Sequence, residues 1–288
     1  MLIDTHAHLT DEKFEGLTDQ IIEKLEENRV EKVFCMAVDK KSIEEVFSLS
    51  QKYPNIYALL GVHPEDVDDW DDYAKNRIIE LSNNPKVIGI GEIGLDYHYC
   101  KDNKDKQKRV FIEQLKLAHE LKLPVCIHNR DSIGDMLQIL KENKELLEFG
   151  GVIHCFSESV EVYREIKKLG LKIGFGGTLT FKNCITAPLV CKECDMADFL
   201  IETDCPYLAP EPYRGKLNEP KYTMYVAEKI ALIKGISCDS VIKQAKMNAL
   251  QLYKKANVWT HKFWKIMILN SIKHMVKISF LTKISWNL

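Results

Sequence analysis

Short apolar segments rich in β-branched residues alternate with longer polar segments along most of this chain. Eight apolar segments of this kind can be counted, at 2–9, 31–38, 56–63, 86–97, 123–130, 151–156, 171–177 and 198–206. Their spacing is about that of a strand followed by a helix. Eight consecutive strand–helix units favour a closed α/β barrel, the (β/α)8 or TIM barrel. An open doubly wound sheet is the alternative, but no G-x-G-x-x-G motif follows the first segment.

The segments between these strands carry apolar residues three and four positions apart, which predicts amphipathic helices. The predicted helices include 18–28, 41–52, 106–121, 133–143, 159–169 and 222–234. The alternation stops after residue 257. We therefore predict a single barrel domain over residues 1–257, followed by a C-terminal extension over residues 258–288.

The C-terminal extension differs from the rest of the chain in composition. It contains three of the four tryptophans and five lysines, with no acidic residue, so residues 1–257 carry a net charge of −7. The lysines fall within about a third of a helical wheel, which predicts a basic amphipathic helix. Such a helix would bind a membrane surface or a partner protein, or it would pack on the barrel or have no selected role. The acidic barrel does not have the charge of a protein that coats nucleic acid.

The nine cysteines are scattered and odd in number, which indicates reduced thiols and a cytoplasmic location, with the nucleus as the alternative. Cys191 and Cys194 have a C-x-x-C spacing, but no second pair follows, so a zinc ribbon is not expected. The first residues do not resemble a secretory signal, and no uncharged apolar run of about 18 residues occurs. We therefore predict no integral membrane segment.

His6 and His8 lie two positions apart in the first predicted strand. Residues at that spacing face the same side of a strand, so both imidazoles are expected to point into the barrel near its mouth. Two histidines directed at one point suggest a metal ion. The alternative is a pair of hydrogen-bonded core histidines, because so short a motif is weak evidence.

Four more candidate ligands lie at the carboxyl ends of other predicted strands, namely Glu92, His128, His154 and Asp204. In a (β/α)8 barrel these strand ends converge on one pocket. A carboxylate in an apolar strand is costly to bury unless it is paired or bound to a metal. Four histidines and two carboxylates can hold two divalent ions. Zn²⁺, Mn²⁺ and Mg²⁺ all remain open.

Eight motifs occur in order: DTHAHL, YALLGVHP, VIGIGEIGLDYHY, LPVCIHNRDS, GGVIHCFS, GFGGTLTFKN, ETDCPYLAP and NEPKY. Through them, residues 1–257 resemble the TatD family of metal-dependent deoxyribonucleases, within the amidohydrolase-like barrels. The resemblance implies that His6, His8 and Asp204 bind one ion. It implies that His128 and His154 bind a second ion and that Glu92 bridges the two. It also places His63, in GVHP, beside the substrate phosphate.

Three features depart from the family pattern. Glu158 stands where similar proteins usually have glycine, and Leu217 stands where a second basic residue is common. The extension after residue 257 resembles nothing in the family. None of these departures removes a candidate ligand. Leu217 removes part of the expected DNA-backbone contact, and Glu158 is expected to add local repulsion or to change a loop.

A two-metal site supplies what phosphodiester hydrolysis needs. With the deoxyribonuclease activity and the Glu92 bridge that the resemblance implies, we expect Asp204 to act as general base. His63 and Arg130 are candidates for holding the phosphate, although a rim histidine and a solvated arginine are the plainer interpretations. Asp96 and Tyr97 are expected either to orient metal ligands or to close a loop.

The acidic barrel favours a DNA strand end, and hence an exonuclease, over an extended duplex. By resemblance, the direction is 3′ to 5′ on single-stranded DNA. An amidohydrolase-type deacylase, acting on an amide or an aminoacyl ester, is the enzymatic alternative. A catalytically silent metal-binding or interaction protein is the other alternative.

Overall fold

The computed structural model describes residues 1–257, in which eight parallel strands form one sheet in chain order. The strands are β1 (Leu2–Ala7), β2 (Val30–Met36), β3 (Ile56–Leu60), β4 (Val87–Asp96), β5 (Val125–Arg130), β6 (Gly151–Ile153), β7 (Lys172–Phe175) and β8 (Phe199–Ile201). Over the same residues the helices are α1 (Thr18–Glu23), α2 (Lys40–Lys52), α3 (Asp72–Leu81), α4 (Lys104–Leu121), α5 (Ile133–Glu142), α6 (Val160–Lys168), α7 (Thr186–Glu193), α8 (Thr223–Lys234) and α9 (Cys238–Leu252). This order confirms the predicted (β/α)8 barrel.

The first and last strands close the barrel at their carboxyl ends. Ala7 and Cys205 form an isolated parallel bridge, and the backbone N–H of Asp204 donates to the carbonyl of His6 at 2.9 Å. Deeper in this β1–β8 junction, the buried carboxylate of Asp4 accepts from the backbone N–H (2.9 Å) and the hydroxyl (2.6 Å) of Thr203. The junction therefore fixes His6 and Asp204 side by side, although 198 positions separate them.

Several strands are shorter than the sequence predicts. β1 ends at Ala7, β3 at Leu60, β6 at Ile153 and β8 at Ile201. His8, His63, His154 and Asp204 consequently lie in the first residues after their strands. Asp204 also adopts a positive φ of 57°, which ordinary strand geometry does not allow. These four polar residues therefore lie just beyond the strand hydrogen bonds, at the carboxyl end of the barrel.

The amino end of the barrel is closed by α9 and the turn that follows it. Tyr253 is fully buried there, and its ring packs edge to face against Phe34 with a centroid separation of 5.0 Å. Lys86 donates to the carbonyls of Tyr53 and Pro54, both at 2.8 Å, and Lys255 donates to the carbonyl of Ser82 at 2.9 Å. We call this arrangement, Tyr253 with Lys86 and Lys255, the basal plug. It satisfies backbone carbonyls that the strands leave free at this end.

The remaining sequence predictions concern the C-terminal extension, the cysteines, membrane-spanning helices and the set of helices. The predicted amphipathic extension, 258–288, lies outside the described residues. All nine cysteines lie within residues 1–257 as free thiols, and Cys191 and Cys194 are buried at the end of α7. None of the helices in residues 1–257 is both long enough and apolar enough to cross a membrane. Helices α3, α7 and α9 were absent from the predicted set.

Candidate metal centre

Six side chains converge at the carboxyl ends of the strands, and Glu92 lies in the middle of them. These six are the candidate ligands that the strand ends predict: His6, His8, Glu92, His128, His154 and Asp204. Glu92 projects from β4 and is almost fully buried. Each of its two carboxylate oxygens faces a different group of ligands.

The first group lies at the β1–β8 junction around Glu92 Oε2. His6 Nε2 is 3.2 Å and His8 Nε2 is 3.4 Å from this oxygen, and the two nitrogens are 3.1 Å apart. Asp204 Oδ1 lies 3.3 Å from His8 Nε2 and 3.6 Å from His6 Nε2. Four potential ligand atoms from β1, β4 and the end of β8 therefore enclose one small volume.

The second group lies on β5 and β6 around Glu92 Oε1. His154 Nε2 is 2.7 Å and His128 Nδ1 is 2.8 Å from this oxygen. The two histidine nitrogens are 3.2 Å apart. Glu92 therefore lies between two groups of nitrogen donors, with one oxygen directed at each.

The spacing of these atoms fits divalent cations. In a tetrahedral site with metal–ligand bonds of about 2.0–2.1 Å, neighbouring ligand atoms lie about 3.3–3.4 Å apart. The separations run from 3.1 to 3.6 Å in the first group and from 2.7 to 3.2 Å in the second. Imidazole and carboxylate donors suit Zn²⁺ and Mn²⁺, and carboxylates also suit Mg²⁺. The donor set does not select among these ions.

The electrostatics also favour a cation. Burial alone would raise the pKa of Glu92, but His154, His6 and His63 hold that pKa well below its usual range. Burial lowers the pKa of His6 to about 4, so this imidazole is neutral and ready to donate a lone pair. Burial lowers the pKa of His154, yet the charge of Glu92, its hydrogen bond and the charges of Glu202 and Asp204 together outweigh burial and raise that pKa to about 10. His154 must therefore lose a proton before it can bind an ion.

Asp96 orients His128, as one of the two sequence interpretations expects. Its Oδ2 lies 3.0 Å from His128 Nε2, and this contact fixes the ring with Nδ1 on the side of Glu92 Oε1. The other oxygen of Asp96 accepts from the backbone N–H groups of His98 and Tyr99, both at 2.8 Å. Tyr97 points away, because its hydroxyl donates to Asp135 at 2.7 Å.

Sequence reasoning missed a second buried carboxylate, Glu202. Glu202 is fully buried. Its Oε1 accepts a hydrogen bond from the backbone N–H of Cys155 and lies 3.8 Å from His154 Nδ1. Within residues 1–257, its Oε2 and His154 Nδ1 have no hydrogen-bond partner. A Cβ at position 174 would overlap the Glu202 carboxylate, so glycine is required there. Asp204 is a candidate because an unpaired carboxylate is costly to bury. The same argument applies to Glu202, two positions earlier, and could have identified it from the sequence.

Asp4 was also missed. It belongs to the same DTHAHL motif as His6 and His8, and burial raises its pKa to about 8. Its hydrogen-bond partner Thr203 precedes Asp204 in the chain, so Asp4 helps to hold the backbone next to Asp204 at the β1–β8 junction.

His63 lies beside the centre with its tautomer defined. Its Nδ1 accepts from the backbone N–H of Glu65 at 3.2 Å, so the ring proton is on Nε2. Nε2 lies 3.5 Å from Glu92 Oε1 and faces the cavity. Burial lowers the pKa of His63. The neutral imidazole therefore presents its Nε2–H to the cavity, where it can donate a hydrogen bond to an oxyanion.

Arg130 lines the same cavity, and its guanidinium lies 4.6 Å from the centre of the Tyr99 ring.

Of the two departures from the family pattern within residues 1–257, Glu158 accepts a hydrogen bond from Asn129, next to His128, at 2.9 Å. Leu217 packs against the hydrophobic core.

The cavity above the centre, which we call the mouth, has a volume of about 670 Å³. Most of the charged side chains in its lining are acidic, and they include Asp11, Glu12, Asp39, Glu45, Glu65 and Asp66. Lys41 and Arg130 are the cationic side chains in that lining, as far as residues 1–257 are concerned. The mouth therefore suits a short anionic group at the centre better than a long polyanion along its walls.

A barrel with a bridged histidine–carboxylate cluster at its mouth has the form of a metal-dependent hydrolase. The family model described as "TatD related DNase" matches residues 3–254. This chain therefore belongs to the TatD-related family of metal-dependent hydrolases.

Relatives across the family span nearly the same length. The metal-dependent hydrolase YabD of Bacillus subtilis is 43% identical over 88% of this chain and 99% of its own length. The 3'-5' ssDNA/RNA exonuclease TatD of Salmonella typhimurium is 29% identical, again over 88% of this chain and 99% of its own. The crystal structure of the TatD homologue YjjV from Escherichia coli superposes with a TM-score of 0.83 at 28% identity, covering 88% and 98% of the two chains.

Proposed function

We propose that this protein is a metal-dependent deoxyribonuclease that removes nucleotides from the 3′ end of single-stranded DNA. The observation that carries the proposal is Glu92, whose two oxygens each face a separate pair of histidine nitrogens within 3.4 Å. A relative from Salmonella typhimurium with a matching length bears the name of a 3'-5' single-stranded nuclease, which supports the substrate class and the direction.

Two divalent ions would be held in this centre, one by His6, His8 and Asp204 and the other by His128 and His154. Glu92 would bridge them. Bound there, the ions would supply Lewis-acid stabilisation of the phosphate and an activated water. With ionised Glu92 and Asp204, two such ions leave a net charge of about +2, which attracts one phosphate group into an acidic mouth.

Asp204 is the proposed general base. It lines the mouth, and Asp204 Oδ1 lies 3.3 Å from His8 Nε2. The pKa of Asp204 is held below its ordinary value because the hydrogen bond to His8 and the nearby His154 and His6 outweigh burial. The carboxylate is therefore ionised and free to accept a proton from the attacking water.

His63 and Arg130 are the proposed phosphate contacts. The Nε2–H of His63 is fixed toward the centre by the backbone bond at Nδ1, so it can donate to a non-bridging oxygen without reorienting. Arg130 adds a positive charge on the same wall of the mouth. With few cations beyond these, the mouth would hold a strand end and not a long duplex.

The test uses metal-stripped protein and single-stranded DNA labelled at the 3′ or the 5′ end, with Mg²⁺, Mn²⁺ or Zn²⁺ added separately. We expect metal-dependent shortening from the 3′ end and release of 5′-mononucleotides. The Asp204→Ala variant should lose this activity. The matched variant Asp198→Ala, at the opposite end of β8, should keep it, because the Asp198 side chain contacts Tyr163 and Lys167, away from the mouth.

Two results would count against the proposal. If metal binds and no DNA is cleaved, amide and aminoacyl ester substrates become the next candidates, as for a deacylase. If Asp204→Ala cleaves as fast as the parent, the chemistry does not take place at this centre.

A further inference from the structure

Two exposed tyrosines lie on opposite sides of the candidate centre. Tyr99 follows β4 on the side of His128, and Tyr207 follows Asp204 on the side of His8. Both line the mouth, and 62% of Tyr99 and 41% of Tyr207 remain exposed. Rings this exposed contribute little to the core, so their position at the mouth calls for another explanation.

Each tyrosine is tethered by its own backbone to the candidate centre. The N–H of Tyr99 donates at 2.8 Å to Asp96, the carboxylate that contacts His128. The N–H of Tyr207 donates at 3.0 Å to the carbonyl of Asp204. The two rings are therefore held at set positions with respect to the two ligand groups, even though both lie on loops.

Each ring also has a cation against it. The guanidinium of Arg130 lies 4.6 Å from the centroid of the Tyr99 ring, and Lys13 Nζ lies 4.0 Å from the centroid of the Tyr207 ring. With a cation over one face of each ring, a base would stack on the opposite face, and the cation would offer the adjoining phosphate a positive charge. The surrounding mouth is acidic, so these two pairs are where a nucleotide chain meets favourable charge.

We propose that Tyr99 and Tyr207 stack on the nucleobases that flank the cleaved phosphate, one on each side of the centre. Bases in a duplex are already stacked on one another and cannot reach these rings, so the two tyrosines select unpaired strand ends. This inference rests on the proposed nuclease function. It assigns the choice of substrate to residues outside the candidate ligand set.

The test pairs tyrosine variants with DNA that lacks chosen bases. Tyr99→Leu and Tyr207→Leu are assayed on a single strand with all its bases and on strands with an abasic residue at the last or the penultimate position. On the complete strand we expect each variant to lower kcat/KM by about 5- to 150-fold. One abasic position should remove the effect of one variant, and the other position should remove the effect of the other.

Three controls separate stacking from a structural role. Tyr99→Phe and Tyr207→Phe keep the ring and should retain the parent kcat/KM, although Tyr207→Phe loses a hydrogen bond to Asp11. Tyr73→Leu alters a tyrosine on α3 that is 64% exposed and does not line the mouth, and it should have no effect. A strand lacking both terminal bases should be cut equally by the parent and by both leucine variants.

The outcomes distinguish this inference from the proposed function. If the parent cuts DNA but the leucine variants lose nothing, or lose as much on abasic strands as on complete ones, stacking is wrong and the nuclease proposal stands. If the parent cuts no oligonucleotide with any of the metals, both fall together.

Discussion

At the carboxyl end of the barrel, buried carboxylates and histidines face one another around a cavity, whereas at the amino end the lysines of the basal plug donate to backbone carbonyls. Glu92 lies among five histidines, each with a ring nitrogen within 3.5 Å of a Glu92 carboxylate oxygen. Lys86 and Lys255 each bind at least two carbonyls. The plug lysines satisfy backbone carbonyls within the chain, although the Tyr253 hydroxyl has no partner within residues 1–257, whereas the mouth brings together histidine and carboxylate donors that suit a cation.

This contrast separates stability from activity along the barrel axis. We expect the plug to serve the fold and the crowded histidines and carboxylates at the mouth to serve ligand binding. Substitutions at the mouth should therefore change metal binding and catalysis with little loss of stability. Substitutions in the basal plug should do the reverse.

The largest effect is expected for Glu92→Gln. The amide keeps the shape of the side chain and removes the negative charge directed at both ligand groups. We expect DNA cleavage to fall about a thousandfold or more, since loss of one preorganised electrostatic group already costs about 100- to 1000-fold. Activity is measured with saturating metal, and thermal unfolding is followed by circular dichroism. A variant within tenfold of the parent would show that Glu92 is not the bridge.

Next in size is the effect of Tyr253→Ala, which removes the buried ring of the basal plug. Truncating a large buried aromatic costs about 3–5 kcal/mol of unfolding free energy. Urea denaturation measures that loss, and kcat per folded molecule should not change. The matched variant Tyr253→Phe keeps the ring and removes a hydroxyl that has no partner within residues 1–257, so its stability should stay within about 1 kcal/mol. Equal losses in the two variants would contradict the packing role of the ring.

A smaller effect is expected for the carboxylates behind the histidines. Asp96→Asn removes the carboxylate that contacts His128, and Glu202→Gln removes the carboxyl group 3.8 Å from His154 Nδ1. Changes behind metal ligands cost about 10- to 100-fold in metal affinity or activity. Calorimetric titration with Zn²⁺ or Mn²⁺ measures the affinity, with Asp198→Asn as the control carboxylate. If both variants bind metal as tightly as the parent, the two carboxylates serve only the fold.

The smallest expected effect belongs to Lys255→Met. The change removes hydrogen bonds to the carbonyls of Ser82 and Val87 and keeps most of the apolar stem. We expect a loss of about 1–2 kcal/mol in unfolding free energy and unchanged DNA cleavage. A fall in kcat without a fall in stability would break the separation between the two ends.

Much of the fold could be predicted from local pattern. The alternation of apolar strands with helical segments gave the closed barrel, and the end of each strand placed His6, Glu92, His128 and their partners at one pocket. Helices α3 and α7 were not among the predicted helices, because each is short, and α7 also contains Pro188. The predicted strands also ran too far into the residues of the centre.

The parts that could not be predicted depend on contacts distant in sequence or on loop paths. Asp4 bonds to Thr203 across 199 positions, so no spacing motif connects them. Tyr99 and Tyr207 lie on loops whose course follows from hydrogen bonds to Asp96 and Asp204. Their place at the mouth is visible only once the barrel has closed.

The most direct test of the bridged centre is a crystal structure of the protein soaked with Mn²⁺, with diffraction collected at the manganese absorption edge. We predict two anomalous peaks, one between Glu92 Oε2 and the His6, His8 and Asp204 group, the other between Glu92 Oε1 and the His128 and His154 group. A single peak, or a peak beside Glu202 with none at Glu92, would contradict a centre bridged by Glu92.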